Sequence, residues 1–144
     1  MEHDRTILIT GCSTGIGYAC ARGMKARGWR VLATARKKTD IARLEKEGLE
    51  VLPLEYRDPK SVAACADEAL KRTKGKLTAL FNNGAYGQPG AVEDLRVEVL
   101  REQFEANFFG WHDLTQRIVP AMREQGHGRI VQWSSCLGLV SLKY

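Results

Sequence analysis

Ile7-Leu8-Ile9-Thr10-Gly11-Cys12-Ser13-Thr14-Gly15-Ile16-Gly17 is an apolar run, then a glycine-rich turn, then the opening of a helix, and its reading decides the fold. Glycines at 11, 15 and 17 permit a sharp turn and a close approach of backbone to a ligand. The helix that follows directs unpaired N–H groups and the positive end of its dipole at any anion held there. A nucleotide gripped by its phosphates is the ligand class this predicts. The spacing Gly-x-x-x-Gly-x-Gly differs from the Gly-x-Gly-x-x-Gly dinucleotide pattern, and no Gly-Lys-Ser/Thr follows. Without that lysine and hydroxyl, the usual grip on a nucleoside triphosphate and its magnesium is missing, which argues against a kinase or GTPase. The bland alternative is a tight strand-to-helix turn that holds nothing.

Outward from this stretch, strand and helix signals alternate with no linker, repeat or low-complexity segment. That alternation predicts an α/β fold. Strands are expected at 6–10, 29–35, 49–54, 77–81 and 129–133, and Pro53 places the third at an edge of the sheet. Helices are expected from Ile16 to about Arg27, with small Ala19, Cys20 and Gly23 packing on the sheet, and from Asp40 to Lys46. A third starts at Asp58 as N-cap with Pro59 in its first turn, where the missing N–H costs nothing, and runs to about Thr73. A long helix is expected from Val97 to Glu124, with Leu100, Phe104, Phe108, Trp111, Leu114 and Ile118 at spacings of three and four. Right-handed connections then wind helices onto both faces of one parallel sheet of about five strands, a doubly wound, Rossmann-type, three-layer fold. The carboxyl ends of the strands gather Gly11 to Gly17, Ala35-Arg36, Asn82 to Gly87 and Ser134-Ser135 on one edge, where ligands of such sheets bind.

The chain has 144 residues, 44% of them hydrophobic, enough for one core of ordinary size, so a single domain over 1–144 is expected. No apolar run approaches the roughly 20 residues of a membrane span, and the charged opening leads straight into a strand. Four cysteines, at 12, 20, 65 and 136, form no Cys-x-x-Cys pair. A reduced, cytoplasmic protein without metal is the expectation, since His3, His112 and His127 also lack ligand spacing. The net charge of +5 is spread over several surfaces apart from Arg36-Lys37-Lys38, a poor match to the basic stripe of a nucleic-acid module.

An NAD site of this kind carries an Asp or Glu about 20 residues past the glycine loop, on the ribose 2′-hydroxyl. Here that position reads Ala35-Arg36. A guanidinium there attracts a 2′-phosphate, which predicts NADP(H) in preference to NAD(H). The alternative is a solvated basic turn.

Thr10 to Gly17, Asn82-Asn83-Gly84-Ala85, Asn107 in Asn107-Phe108-Phe109-Gly110, and Ser134-Ser135-Cys136-Leu137-Gly138 stand in the order found in short-chain dehydrogenase/reductases, a family this whole chain resembles. The resemblance implies that Gly11, Ser13, Thr14, Gly15, Ile16 and Gly17 surround the cofactor phosphates, that Arg36 holds the 2′-phosphate, and that Asn83 and Gly84 border the adenosine ribose. The family usually reads Asn-Asn-Ala-Gly where this chain reads Asn-Asn-Gly-Ala, and Glu55 stands where an Asp commonly meets the adenine amine. Asn107 matches the helix asparagine whose main chain holds a relay water, and Ser135 the serine that hydrogen-bonds the reacting oxygen. From the residues alone, Asn107 could instead satisfy backbone groups and Ser135 could cap a turn. Cys136, with no histidine partner, reads as a packing residue.

The family's general acid/base is a tyrosine in Tyr-x-x-x-Lys a dozen or so residues past the serine, and the sequence ends at Tyr144 before it. Tyr144 is too close to Ser135 to replace it, and Lys143 projects elsewhere. The expectation is therefore a carboxyl-terminally incomplete cofactor-binding domain of an NADP(H)-dependent oxidoreductase. Such an enzyme acts on a small secondary alcohol or ketone and is a homo-oligomer, half of whose surface the resemblance places on the helix of 97–124. The edge Ile130 to Trp133 is expected to be open and apolar. The rival readings are a non-enzymatic NADP-binding regulator or sensor and, more remotely, a nucleic-acid or protein-binding module.

Overall fold

A computed structural model of the protein describes residues 5–140; His3, Lys143 and Tyr144 lie outside the described residues. Five strands, β1 (Thr6–Ile9), β2 (Arg30–Ala35), β3 (Glu50–Pro53), β4 (Ala79–Asn82) and β5 (Arg129–Gln132), form one parallel sheet in the order β3-β2-β1-β4-β5. The chain runs outward from β1 to the edge strand β3, then returns across the sheet to β4. That reversal beside β1 opens a crevice at the carboxyl ends of β1 and β4. Pro53 ends β3 at the edge, where its missing N–H leaves no ladder bond unmade.

Side chains alternate between the two faces, and each face has its own core. Leu8, Leu32, Leu52 and Leu80 point to one side, against helices α3 (Pro59–Thr73) and α5 (Gly110–Glu124) through Val62, Ala66, Leu114 and Ile118. Ile7, Ile9, Val31, Ala33, Val51 and Phe81 point to the other, against α1 (Gly15–Ala26) and α2 (Lys38–Lys46) through Ala21 and Leu44. Three layers result. Each fully buried leucine contributes about 1.5–3 kcal/mol relative to exposure, so these two clusters fix the sheet and with it the strand ends.

Local signals set most helix ends. Asp58 caps α3 by accepting from the Lys60 N–H at 3.0 Å, with Pro59 in the first turn. Helix α2 starts at Lys38, two residues before the expected Asp40. In α1 the residues facing the sheet are Gly17 and Ala21, with Cys20 half-buried; Ala19 is exposed, contrary to its expected packing role. Helix turns advance by about 100° per residue, and 17 and 21 rather than 19 share the inner face.

The expected helix of 97–124 is helical throughout but not uniform. It consists of α4 (Val97–Phe104), a π-helical turn at Glu105–Phe109, and α5. The wider turn shifts the helical phase, so that Leu114 and Ile118 are buried while Leu100, Phe104 and Phe108 are about half exposed. Phe108 packs edge-on against Phe109, with ring centroids 5.3 Å apart, and both rings remain exposed. All four residues of β5 are exposed as expected of an open edge, and Trp133 beyond them is too. Cys136 is likewise exposed rather than packed.

Candidate functional site

At the carboxyl edge of the sheet, the loop after β1 and the loop after β4 are held in contact by a set of buried bonds. The hydroxyl of Thr10, fully buried, donates to the Phe81 carbonyl and accepts the N–H groups of Asn83 and Gly84 at 2.8 and 3.0 Å. In return, the Asn83 side-chain amide donates to the carbonyls of Thr10 and Gly11. Gly11 is anchored on its other side by donating its N–H to the Thr34 hydroxyl at 3.2 Å. The loops touch so closely that a Cβ on Gly11 would lie 2.5 Å from the Gly84 Cα, and one on Gly17 would lie 2.4 Å from the Gly11 carbonyl oxygen. Gly11 also has a φ of +68°, in the left-handed region.

A second group of side chains, which sequence reading did not single out, supports Gly84 from behind. The Trp111 indole N–H donates to the Gly84 carbonyl at 2.8 Å, and its ring leans on Tyr56, centroids 6.4 Å apart. Tyr56 donates its hydroxyl to Asn82, whose amide donates to Thr115 at 2.9 Å. Gly110 allows this approach, since a Cβ there would lie 2.6 Å from the Tyr56 carbonyl oxygen. The available clue in the sequence was a polar-tipped aromatic within an otherwise apolar helical stripe. Tyr56 and Lys60 also form the one Tyr-x-x-x-Lys spacing in the sequence. It carries no acid/base chemistry: Tyr56 is buried, which pushes its phenol up, and is committed to Asn82, while Lys60 is exposed in the first turn of α3.

Two adjoining hollows lie over this edge. One, of about 480 Å³, is lined by Gly11, Ser13, Arg36, Glu55, Arg57 and Gly84 among others. The next, of about 400 Å³, is lined by Gly11, Ser13, Thr14, Ile16, Asn83 and Gly84, with Trp133 at its margin. Thr14 is the N-cap of α1 but makes no side-chain cap, and no acidic residue stands in the first turn. The first N–H groups of α1 are thus left for an acceptor beside the hollow. Gly15, with a φ of +61° and no atom within 4 Å of where a Cβ would sit, leaves that approach open.

Of the residues singled out from sequence, Gly11, Ser13, Thr14, Ile16, Asn83, Gly84 and Arg36 therefore converge on one groove, with Gly15 and Gly17 shaping its turn. Asn107 and Ser135 line neither hollow. Asn107 sits in the π-helical turn, where its amide donates to the Tyr86 carbonyl at 2.6 Å and its side-chain oxygen accepts the Tyr86 N–H at 3.2 Å, tying down the loop after β4. The Ser135 hydroxyl accepts the Leu137 N–H at 3.1 Å, capping the short 3₁₀ turn Cys136–Gly138. No group of three or more His, Cys, Asp or Glu among the described residues could hold a metal, and no helix among them is long and apolar enough to cross a membrane.

Burial pushes the thiols of Cys12 and Cys65 up to about 12, which keeps both protonated and inert. Burial works the same way on the Glu55 carboxyl, but donors from Arg57 and Arg36 outweigh it and hold this group below the usual carboxylate range. Arg36 meets Glu55 at 3.3 Å while remaining 60% exposed, so its guanidinium keeps donors for a further anion.

The family model for short chain dehydrogenase matches residues 5–143. The chain belongs to that family. It is 42% identical over 138 residues to an uncharacterized oxidoreductase, YbbO, of Escherichia coli K12, an alignment covering 96% of this chain and 51% of that protein. In fold it resembles a short-chain dehydrogenase from Streptomyces avermitilis with a TM-score of 0.90 at 34% identity, over 97% of this chain and 52% of that one. It also resembles an NADPH-bound carbonyl reductase from chicken fatty liver, with a TM-score of 0.85 at 27% identity over 93% of this chain and 60% of that one. The chain thus spans about half the length of the short-chain dehydrogenases it matches.

Proposed function

We propose that this short-chain dehydrogenase chain is a single cofactor-binding domain that holds NADP(H) in the groove along the carboxyl edge of its sheet. The observation that carries the reading is Arg36, a partly exposed guanidinium just past β2 lining a hollow that adjoins, across Gly11, Ser13 and Gly84, the hollow at the uncapped start of α1. The pyrophosphate would lie against Ser13 to Gly17, where the backbone N–H groups of α1 offer hydrogen bonds and a favourable dipole. Arg36 would take the 2′-phosphate through charge-assisted bonds, and no carboxylate stands at that position to favour a free 2′-hydroxyl. Asn83 and Gly84, fixed by Thr10 and Trp111, would form the wall beside the adenosine ribose. The NADPH bound by the similar carbonyl reductase supports the choice of cofactor.

In the whole protein, the bound nicotinamide supplies hydride exchange with a secondary alcohol or ketone. Ser135, released from its cap on Leu137, would hydrogen-bond the reacting oxygen, and Asn107 would fix the neighbouring loop and hold a relay water through its main chain. The exposed aromatic group Phe104, Phe108 and Phe109 suits self-association through the α4–α5 helix. A non-enzymatic NADP sensor would use the same groove and differ only in lacking turnover.

Titration of the chain with NADPH and with NADH, followed by nicotinamide fluorescence, tests the proposal. Saturable binding with NADPH preferred is expected, and absence of saturable NADPH binding at micromolar protein would overturn it.

A further inference from the structure

Four charged side chains line one wall of the larger hollow in alternating sign: Arg36, Glu55, Arg57 and Glu102. Their bonding is unequal. Glu55 Oε1 accepts the Arg57 backbone N–H at 3.2 Å and meets the Arg57 side-chain Nε at 3.5 Å, so that oxygen is fixed locally by a neighbour two residues away. Arg57 is steadied in turn by Glu102 at 3.4 Å. Glu55 Oε2 faces Arg36 through a single contact of 3.3 Å. Glu55 is 28% exposed and Arg36 60%, which makes the carboxylate the anchored partner and the guanidinium the movable one.

A carboxylate on a guanidinium occupies the position that a phosphate would take, and a nearby anion also repels one. Resting on the NADP(H) reading above, we propose that Glu55 sets the strength of that preference. It holds Arg36 on the wall of the groove through one guanidinium nitrogen, as an internal stand-in for part of the 2′-phosphate, and a 2′-phosphorylated ligand has to share the guanidinium with it or draw it away. Ligands with a free 2′-hydroxyl ask nothing of Arg36 and do not meet this competition. Glu55 therefore acts as a specificity-determining residue that moderates the grip on NADP(H), a role distinct from a direct contact with the adenine, which would strengthen both cofactors alike.

Glu55→Gln tests this because the amide keeps an oxygen to accept from Arg57 while losing the charge. NADPH and NADH affinities are measured by fluorescence titration for the unaltered chain and for Arg36→Gln, each with and without Glu55→Gln. Glu55→Gln is expected to tighten NADPH by about two- to fivefold, the size of a partly exposed ion pair. NADH affinity stays unchanged and doubles as the check on folding, and the gain disappears in the double variant. Weakening of both cofactors, an equal change in both, or no change in NADPH would overturn the inference while leaving the proposed function standing. Failure of the unaltered chain to bind NADPH would overturn the proposed function and this inference with it.

Discussion

Thr10 and Asn83 are bonded in both directions across the crevice: the Thr10 hydroxyl accepts the Asn83 N–H at 2.8 Å, and the Asn83 side-chain amide donates to the Thr10 carbonyl at 3.0 Å. The same hydroxyl serves Gly84, so one buried oxygen terminates two donors of the loop after β4. Thr10→Val keeps the shape and removes the acceptor. It should cost about 1–3 kcal/mol for the unpaired N–H groups and weaken NADPH binding, as read by urea unfolding and by fluorescence titration. A variant as stable as the parent would mean that these bonds do not hold the loops together.

Gly11 and Gly15 separate two uses of glycine. Both have φ in the left-handed region, but a Cβ on Gly11 would lie 2.5 Å from backbone of Gly84, whereas around Gly15 nothing lies within 4 Å. Gly15→Ala should cost about 1–2 kcal/mol, the strain of that conformation alone. Gly11→Ala should cost clearly more, up to loss of folding, because backbone has no room to yield. Equal unfolding midpoints in urea would contradict the close approach of the two loops.

Signals confined to a few neighbouring residues were legible in the sequence. Asp58-Pro59 announced the start of α3, Pro53 the edge position of β3, and the glycine pattern the turn after β1, because capping, a missing N–H and a positive φ act within one turn of chain. The α/β alternation with right-handed connections sufficed for the layered sheet. Contacts between distant segments were not legible. Trp111 reaching Gly84 joins residues 27 apart, and the polar tip of the indole gives no sign of which distant carbonyl it meets. The π-helical turn at Glu105–Phe109 also escaped the reading, since the apolar spacing of Leu100, Phe104 and Phe108 suits an unbroken helix. Arg36 was found as a basic residue at the right place, but its pairing with Glu55 depends on how β2 and β3 lie side by side.

Arg30 and Glu50 join β2 to β3 through two bonds of 2.6 and 2.9 Å, and the hydrogen bonds from Arg30 hold the Glu50 carboxyl below its ordinary range. A carboxyl lowered in the folded state adds stability above its unfolded value of about 4.3, and that stability is lost as pH falls through the folded value. Because both side chains are more than a third exposed, solvent screening limits the contribution to about 1 kcal/mol or less. Urea unfolding at pH 7 and pH 3 should show Glu50→Gln destabilising at the higher pH and nearly neutral at the lower. An equal effect at both would contradict the pairing.

The cysteines should differ in reactivity. With burial pushing Cys12 and Cys65 up to about 12, raising the pH from 7 to 9 does not ionise them, and neither is accessible. Cys136 is exposed. Ellman's reagent on the native chain should label Cys136 first and reach Cys12 and Cys65 only on unfolding in urea, as peptide mapping would record. Prompt labelling of Cys12 would contradict the buried position of the glycine turn.

The central claim, that NADP(H) lies along the groove between the loops after β1 and β4 with its 2′-phosphate on Arg36, is tested most directly by amide chemical shifts. Titration of the ¹⁵N-labelled chain with NADP⁺ should move the resonances of Ser13 to Gly17, Arg36 and Asn83 to Ala85. Titration with NAD⁺ should move the same set except Arg36, at higher ligand concentration. Shifts confined to other parts of the chain, or none at saturating NADP⁺, would contradict the account.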